Sequence, residues 1–214
     1  EINGKVLVKH PNGKAKEICN YVKGIKDGVC EYFNTSGLLI NSNTFKNGFK
    51  WSGTFNFKDT DYFLYKNGKL KLDVTAEYYE GNLNGKYIAQ NEEGKLHSKG
   101  KYKSNLKDGY WEYKLLDKDR KGRGNFKDSI KIGLWKEACS WAPYCEGEYN
   151  SKGLKEGKWK YIEESRYSCG KRIETISFKN DMYHGPWELF LDGRLRQSYN
   201  YKDDKMHGIQ KWYG

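Results

Sequence analysis

Hydrophobic and polar residues alternate along much of the chain with a period of two, which is typical of β-strands with one buried face. After Gly109, for example, Trp111 and Tyr113 fall on one face of a strand. The charged Glu112 and Lys114 fall on the other face, because successive side chains point to opposite sides. The pattern therefore predicts a sheet with large rings on one face and charged side chains on the opposite face.

The alternation recurs with a period of about 24 residues, and one glycine marks each unit. An aromatic residue stands two positions after this glycine in most units, and another stands seven or eight positions before it. Four positions before it stands a residue that tolerates positive φ, such as Gly24 or Asn105. The repeat glycines are Gly28, Gly53, Gly85, Gly109, Gly133, Gly157, Gly185 and Gly208.

Each unit is predicted to be a β-hairpin. We expect residues 24–28 and their equivalents to form the turn, because dipeptides such as Asp27-Gly28 accept positive φ. A single hairpin is marginal in water, so neighbouring hairpins must bury each other's rings. The sequence thus predicts an all-β fold, with residues 1–214 forming one domain. This domain is an elongated single-sheet array of about eight hairpins.

Composition agrees with this prediction. Only 36% of the 214 residues are hydrophobic and the net charge is +11, a balance that by itself favours disorder. The chain nevertheless contains 7 Trp, 18 Tyr and 9 Phe, and disordered segments are usually poor in such residues. A thin sheet covered by aromatic rings accounts for both properties.

Short motifs recur within the units: Gly100-Lys101-Tyr102, Asp108-Gly109-Tyr110-Trp111, Gly157-Lys158-Trp159, and the Gly-x-aromatic steps Gly53-Thr54-Phe55, Gly124-Asn125-Phe126 and Gly147-Glu148-Tyr149. Because of these motifs, the repeat resembles the MORN repeat, and more closely the bacterial variant found in YwqK-family antitoxin-like proteins. The resemblance covers nearly the whole chain from about Asn12, and it implies hairpin sheets that act as interaction or lipid-associated modules.

No motif points to catalysis. The sequence contains no G-x-S-x-G nucleophile motif, no phosphate-binding loop and no H-E-x-x-H zinc motif. His184 and His207 each precede a repeat glycine, so we interpret them as turn residues. We therefore predict a protein that is not an enzyme, with no catalytic residue, no metal site and no cofactor.

The five cysteines leave the redox state open. Cys139 and Cys145 flank a short loop and form a candidate disulfide. Cys19 and Cys30 share a predicted hairpin, but we do not expect them to lie directly opposite each other. Cys169 has no predicted partner. The alternative is that all of them are free thiols in a reducing compartment.

Three aromatic residues lie outside the repeat pattern and are the predicted binding residues. Trp51 falls in a predicted turn that is one residue longer than the others, and Trp141 and Tyr144 lie between Cys139 and Cys145. Exposed aromatic side chains of this kind often anchor protein interfaces. The alternative is that they pack back onto the sheet.

We predict a non-enzymatic protein-binding scaffold whose basic face docks an acidic protein surface, and the family resemblance implies an antitoxin-like or immunity role. A peripheral binder of anionic membrane surfaces and a secreted adhesin-like protein are the alternatives. Nucleic acid is less favoured, because the rings that could stack on bases are used within the sheet. The chain begins at Glu1, which we interpret as truncation or processing, so bacterial cytoplasm and cell surface both stay open.

Overall fold

A computed structural model describes residues 1–61, 70–115, 120–139, 142–164 and 170–214, without the side chains of residues 58–61, 70, 71, 115, 120 and 164. All regular structure in these ranges is β-strand, and none of the described residues is helical. This confirms the predicted all-β fold built from hairpins in chain order. The described residues up to 106 form one compact unit, unit 1, and those from 107 onward form a second, unit 2.

Unit 1 is an open antiparallel sheet in which each strand pairs with the next one along the chain. Its strands are β1 (Gly4–Lys9), β2 (Ala15–Val22), β3 (Ile25–Phe33), β4 (Leu39–Lys46), β5 (Phe49–Asp61), β6 (Leu70–Tyr79), β7 (Asn82–Asn91) and β8 (Leu96–Lys103).

Unit 2 follows the same plan from β9 onward, and β16 also pairs with the short strand β18. Its strands are β9 (Leu106–Leu115), β10 (Arg120–Lys127), β11 (Ile130–Glu137), β12 (Tyr144–Tyr149), β13 (Lys155–Glu164), β14 (Lys171–Lys179), β15 (Met182–Leu191), β16 (Arg194–Lys202), β17 (Lys205–Met206) and β18 (Lys211–Trp212).

Many of the described hairpins turn at two residues that both have positive φ, as type I′ turns require. In the first such turn φ is 51° at Lys23 and 79° at Gly24. The turn between β12 and β13 is longer, and within residues 150–154 only Gly153 has positive φ. The prediction that residues four before the repeat glycine adopt positive φ is therefore confirmed. The prediction that the turn runs over residues 24–28 is wrong, because β3 already begins at Ile25 and Gly28 lies inside it.

The repeat glycine lies instead in a β-bulge. On β10 and β11, Gly124 faces Trp135 but the next residue, Asn125, faces Ile132, so two residues of β11 have no partner on β10. These two are Gly133, with φ of 63°, and Leu134. The same two-residue offset occurs between β6 and β7, β12 and β13, and β14 and β15. Such bulges increase the twist of the strand pair.

A further repeat glycine precedes those that the sequence analysis identified. Gly4 has φ of 92° and faces Tyr21, just as Gly28, with φ of 100°, faces Phe45. β1 therefore corresponds to the second strand of a hairpin.

The rings cover one face of each unit, here called the inner face, and the opposite face is the outer face. Trp135 and Trp159 are 2% and 0% exposed on this face. Their indole rings lie against Gly124 and Gly147, where a Cβ atom would clash with the ring. The indole nitrogen of Trp135 donates to the Asn125 carbonyl at 3.1 Å. That of Trp159 donates to the Glu148 carbonyl at 3.0 Å. The glycine in the Gly-x-aromatic step thus makes room for a tryptophan.

In unit 1 a disulfide lies at the repeat position that a buried tryptophan occupies in unit 2. Cys30 stands two residues after Gly28, as Trp135 stands two residues after Gly133. Cys19 and Cys30 face each other directly and are joined, with a Cα–Cα distance of 4.1 Å. The expectation that they are not opposite is wrong. Counting back from the turn without a bulge would place Cys19 opposite Gly28, and the bulge shifts the register by two residues to Cys30.

Successive turns are linked to one another by backbone and side-chain hydrogen bonds. The Asp181 amide donates to the carbonyl of Lys155 at 3.0 Å, and the Lys155 amide donates to Asp181 Oδ1 at 2.6 Å. The same reciprocal pair joins Asn105 to Leu83, Ser129 to Lys107, and Asp204 to Tyr183. Where the turn residue is glycine, as at Gly48 and Gly81, the backbone bond remains.

We expect Gly124→Ala and Gly147→Ala each to lower the free energy of unfolding by about 1–3 kcal/mol, because the new methyl group overlaps an indole ring in a packed face. Urea denaturation measures the change. Lys127→Ala, an exposed position on β10, is the control and should leave stability within about 0.5 kcal/mol. Glycine variants as stable as this control would contradict the packing described.

Asp181→Ala should lower the free energy of unfolding by about 1–2 kcal/mol, since it removes the acceptor for the Lys155 amide and places alanine at positive φ. Asp181→Asn keeps both an acceptor and a tolerance for this φ, so it should retain most of the stability. Equal thermal and urea stability of the two variants would show that the link between turns contributes nothing.

Candidate functional site

A groove of about 670 Å³ lies on the outer face of unit 2 and crosses strands β9 to β14. Tyr110 and Leu134 form apolar parts of its wall and are 52% and 69% exposed. Each directly follows a repeat glycine, Gly109 or Gly133, and Leu134 is one of the two unpaired residues in the bulge between β10 and β11. The groove is therefore built from the repeat itself.

A second hollow of about 270 Å³ shares Arg123 and Lys136 with the groove and adds Glu112, Lys121 and Tyr144. Together the two hollows are here called the basic groove. Five cations line it, against two carboxylates. The cations are Lys121, Arg123, Lys136, Lys158 and Lys160, and the carboxylates are Glu112 and Glu146.

Strand pairing places these charges in one row across the sheet. Glu112 faces Arg123, Arg123 faces Lys136, Lys136 faces Glu146 and Glu146 faces Lys160. Arg123 and Lys136 are thus like charges directly opposite each other, an arrangement that destabilises a sheet. The centre of the row carries positive charge that the fold alone does not require.

The ion pairs in the groove are long or shared. Glu146 lies 3.8 Å from both Lys136 and Lys160, at the limit of an ion pair. Lys158 contacts Glu188 at 3.0 Å, and this hydrogen bond is the main cause that holds the pKa of Glu188 below its usual range. Arg123 forms no ion pair with another residue in the described part of the chain. The groove is therefore only partly neutralised.

Trp51 lies in unit 1, inside β5 rather than in a long turn. The turn at Asn47 and Gly48 has the usual two residues, and Trp51 is the extra residue of a bulge between β4 and β5. Its ring lies close enough to Gly81 that a Cβ there would be 3.3 Å away, and Lys46 Nζ is 4.3 Å from the ring centroid. The expectation of a longer turn is wrong, while its role in binding stays a prediction.

The other predicted binding residues belong to the segment before β12. Tyr144 lines the basic groove, with Lys136 Nζ 5.6 Å from its ring centroid. Trp141 lies outside the described residues, as does Cys169. The structure joins Cys139 to Cys145, and the Cys139 amide donates to the carbonyl of Ala142 at 3.2 Å. Of the two predicted binding residues that the structure describes, Tyr144 therefore lines the basic groove, and Trp51 belongs to unit 1.

None of the four central residues of the groove was among the predicted binding residues. These four are Tyr110, Arg123, Leu134 and Lys136. The sequence feature that identifies Tyr110 and Leu134 is their position directly after a repeat glycine. The charged pair becomes visible only with the strand register, because the two residues are 13 positions apart in the sequence.

Part of the positive charge lies on the inner face instead of in solvent. Lys131 Nζ is 4.7 Å from the ring of Trp135, and Lys155 Nζ is 4.4 Å from that of Trp159, which are cation–π distances. Lys107 lies over Trp111 in the same way, and burial lowers the pKa of Lys107 and Lys155. The prediction that charged side chains lie on the face opposite the rings therefore needs this correction.

A polar cluster on the inner face centres on Glu137, whose side chain is 13% exposed. Its carboxylate accepts a hydrogen bond from the Tyr149 hydroxyl at 2.6 Å and pairs with Lys131. Burial, together with this carboxylate, raises the pKa of Tyr149 and of Tyr113. The cluster ties neighbouring strands together across the aromatic face.

No protein-family profile matches this chain, and no curated protein sequence matches it. Among the described residues, Glu17, Cys19 and Cys30 bring three potential metal-ligand atoms within 4.8 Å, but cysteines joined in a disulfide supply no thiolate. None of the described residues belongs to a helix long and apolar enough to cross a bilayer.

Alkaline pH should destabilise the inner face. Burial raises the pKa of Tyr161 to about 12, whereas an unfolded tyrosine ionises near 10. The unfolded chain therefore loses this proton first, and the free energy of unfolding should fall from pH 10 to pH 12, by about 2 kcal/mol for this group. Urea denaturation of Tyr161→Phe should show a shallower decline than wild type. Tyr79→Phe, at an exposed position, should decline like wild type; if Tyr161→Phe does the same, this assignment is wrong.

Proposed function

We propose that the chain is a non-enzymatic protein-binding scaffold whose basic groove docks an acidic protein surface. The observation that carries the proposal is the direct pairing of Arg123 with Lys136 at the centre of a groove with five cations and two carboxylates. An incoming carboxylate that contacts both cations relieves their repulsion, so the groove favours an anionic partner.

The distribution of charge favours a protein over nucleic acid. Glu112 and Glu146 stand in the same row as Arg123 and Lys136 and border them on both sides. A nucleic acid carries a phosphate at every nucleotide and would meet these carboxylates, whereas a protein can place single acidic residues between them. The exposed side chains of Tyr110 and Leu134 add apolar contact area, which suits a protein surface.

The form of the groove favours a protein over a membrane. Its lining is recessed between the side chains of Tyr110 and Leu134, whereas a bilayer surface presents broad, nearly flat contacts. The resemblance to the bacterial MORN-repeat variant supports an interaction role, and an antitoxin-like or immunity function is one form that this role can take. Trp51, Trp141 and Tyr144 remain predicted contributors to binding.

Reversing the two opposed charges should abolish recognition of an acidic polypeptide. The double variant Arg123→Glu/Lys136→Glu should bind fluorescein-labelled poly-L-glutamate at least about tenfold more weakly than wild type at 0.15 M salt, as expected for several partly buried charge contacts. Fluorescence anisotropy measures the affinity. Lys179→Glu/Lys202→Glu makes the same change in net charge at exposed positions on β14 and β16, outside the residues that line the groove, and is the matched control.

Equal weakening in the two double variants would show that net charge, and not the groove, binds the ligand, and it would overturn the proposal. Parallel titrations with a single-stranded oligonucleotide and with vesicles containing phosphatidylglycerol distinguish the other partners. Tighter, groove-dependent binding of either ligand would replace an acidic protein by nucleic acid or by an anionic membrane.

A further inference from the structure

We infer that the basic groove takes an extended acidic segment in which one apolar side chain lies between Tyr110 and Leu134. The inference rests on the proposed function, since it names the kind of segment that the same groove binds. It follows from the spacing of the apolar wall, the floor between its two sides, and the position of the nearest cations.

The apolar wall has room for one side chain. Tyr110 is on β9 and Leu134 on β11, and β10 runs between them. Neighbouring strands lie about 4.8 Å apart, so the two side chains rise about 10 Å from each other. They are 52% and 69% exposed, and nothing in the described residues covers them completely.

The floor between the two side chains is Asn125. It faces Tyr110 from β10 and lies on the same outer face. A Leu, Ile or Phe side chain can therefore lie over Asn125 and contact the side chains of Tyr110 and Leu134. Burial of one such side chain contributes about 1.5–3 kcal/mol. A purely acidic segment would leave this part of the groove unfilled.

The position of Arg123 and Lys136 defines how many residues separate the acidic and the apolar residue of the bound segment. Arg123 lies two residues before Asn125 on β10 and faces Lys136 on β11. Two residues of an extended strand span about 6.8 Å. An extended segment that lies along β10 therefore places a carboxylate at this pair when an acidic residue stands two positions from the apolar one. The recognised pattern is acidic-x-apolar.

The charges on the neighbouring strands agree with an acidic segment of several residues. Lys158 and Lys160 line the same groove on β13, and Lys121 lies two residues before Arg123. Glu112 and Glu146 border the central pair, and Glu146 is shared between two lysines at 3.8 Å. An acidic residue two positions further along β10 can thus contact Lys121, while Lys158 and Lys160, three strands away on β13, add positive charge to the groove.

The test uses fluorescein-labelled synthetic peptides. One peptide carries glutamate two residues before and two residues after a central leucine, with glycine elsewhere, and its partner has alanine in place of leucine. We expect the leucine peptide to bind wild-type protein about tenfold more tightly than the alanine peptide, measured by fluorescence anisotropy. A third peptide, in which the glutamate is adjacent to the leucine, should lose most of this gain.

Two variants test which residues cause the tighter binding: one changes Leu134 in the apolar wall, and the other reverses the charges of Arg123 and Lys136. Leu134→Ser should remove the advantage of leucine over alanine while the alanine peptide binds as before. Leu38→Ser, an equally exposed leucine in unit 1 at 67%, should change neither affinity. Arg123→Glu/Lys136→Glu should weaken all three peptides. Circular dichroism of each variant establishes that the β-sheet is retained.

The outcomes separate this inference from the proposed function. If the leucine and alanine peptides bind equally and both depend on Arg123 and Lys136, the proposal that the basic groove binds acidic segments stands, and the inference of an apolar side chain between Tyr110 and Leu134 is wrong. If neither peptide binds more tightly than an all-glutamine peptide, both the inference and the proposed function fail. If an oligonucleotide binds more tightly than the leucine peptide with the same dependence on Leu134, the occupant is a nucleic acid.

Discussion

The structure depends on one steric constraint: an indole ring can lie flat on a strand only where the neighbouring residue leaves its position empty. Trp135 and Trp159 meet this condition on Gly124 and Gly147, which is why both are almost completely buried in a single layer of strands. Edge-on contacts of these tryptophans with Phe126 and Tyr149, at 4.9 and 5.0 Å between ring centroids, extend the packing between strands. In unit 1, where Cys30 stands in place of a ring, a disulfide to Cys19 joins the strands instead.

The bulge connects this inner packing to the outer groove. The bulge at the repeat glycine leaves two residues of the second strand without a partner on the first. It therefore determines which residues of the two strands face each other beyond the bulge. Trp135 then lies over Gly124, and on the opposite face Arg123 comes to face Lys136. The position of the basic groove is thus a consequence of the same local geometry that buries the rings.

The sequence predicted what depends on local chemistry, and it missed what depends on partners across strands. The hairpins, the ring-bearing face and the positive φ at Asn105 could be predicted, because side-chain size, polarity and turn preference act within a few residues. The bulge changes the register by two residues, and this change is not visible in any one strand. For that reason Cys19 and Cys30 were not expected to pair, and the meeting of Arg123 with Lys136 was not foreseen.

Net charge alone is a poor guide to a candidate binding surface on this protein. Lysines such as Lys107 and Lys155 lie over rings on the inner face, where burial lowers their pKa, so part of the +11 serves packing. The opposed pair Arg123 and Lys136 differs, because like charges across a strand pair reduce the stability of the free protein. An anion bound there offsets that repulsion, and by mass action it stabilises the folded sheet as it binds. Repulsion between Arg123 and Lys136 in the free protein, which a bound anion would relieve, is therefore a stronger indication of a binding site than an excess of lysine.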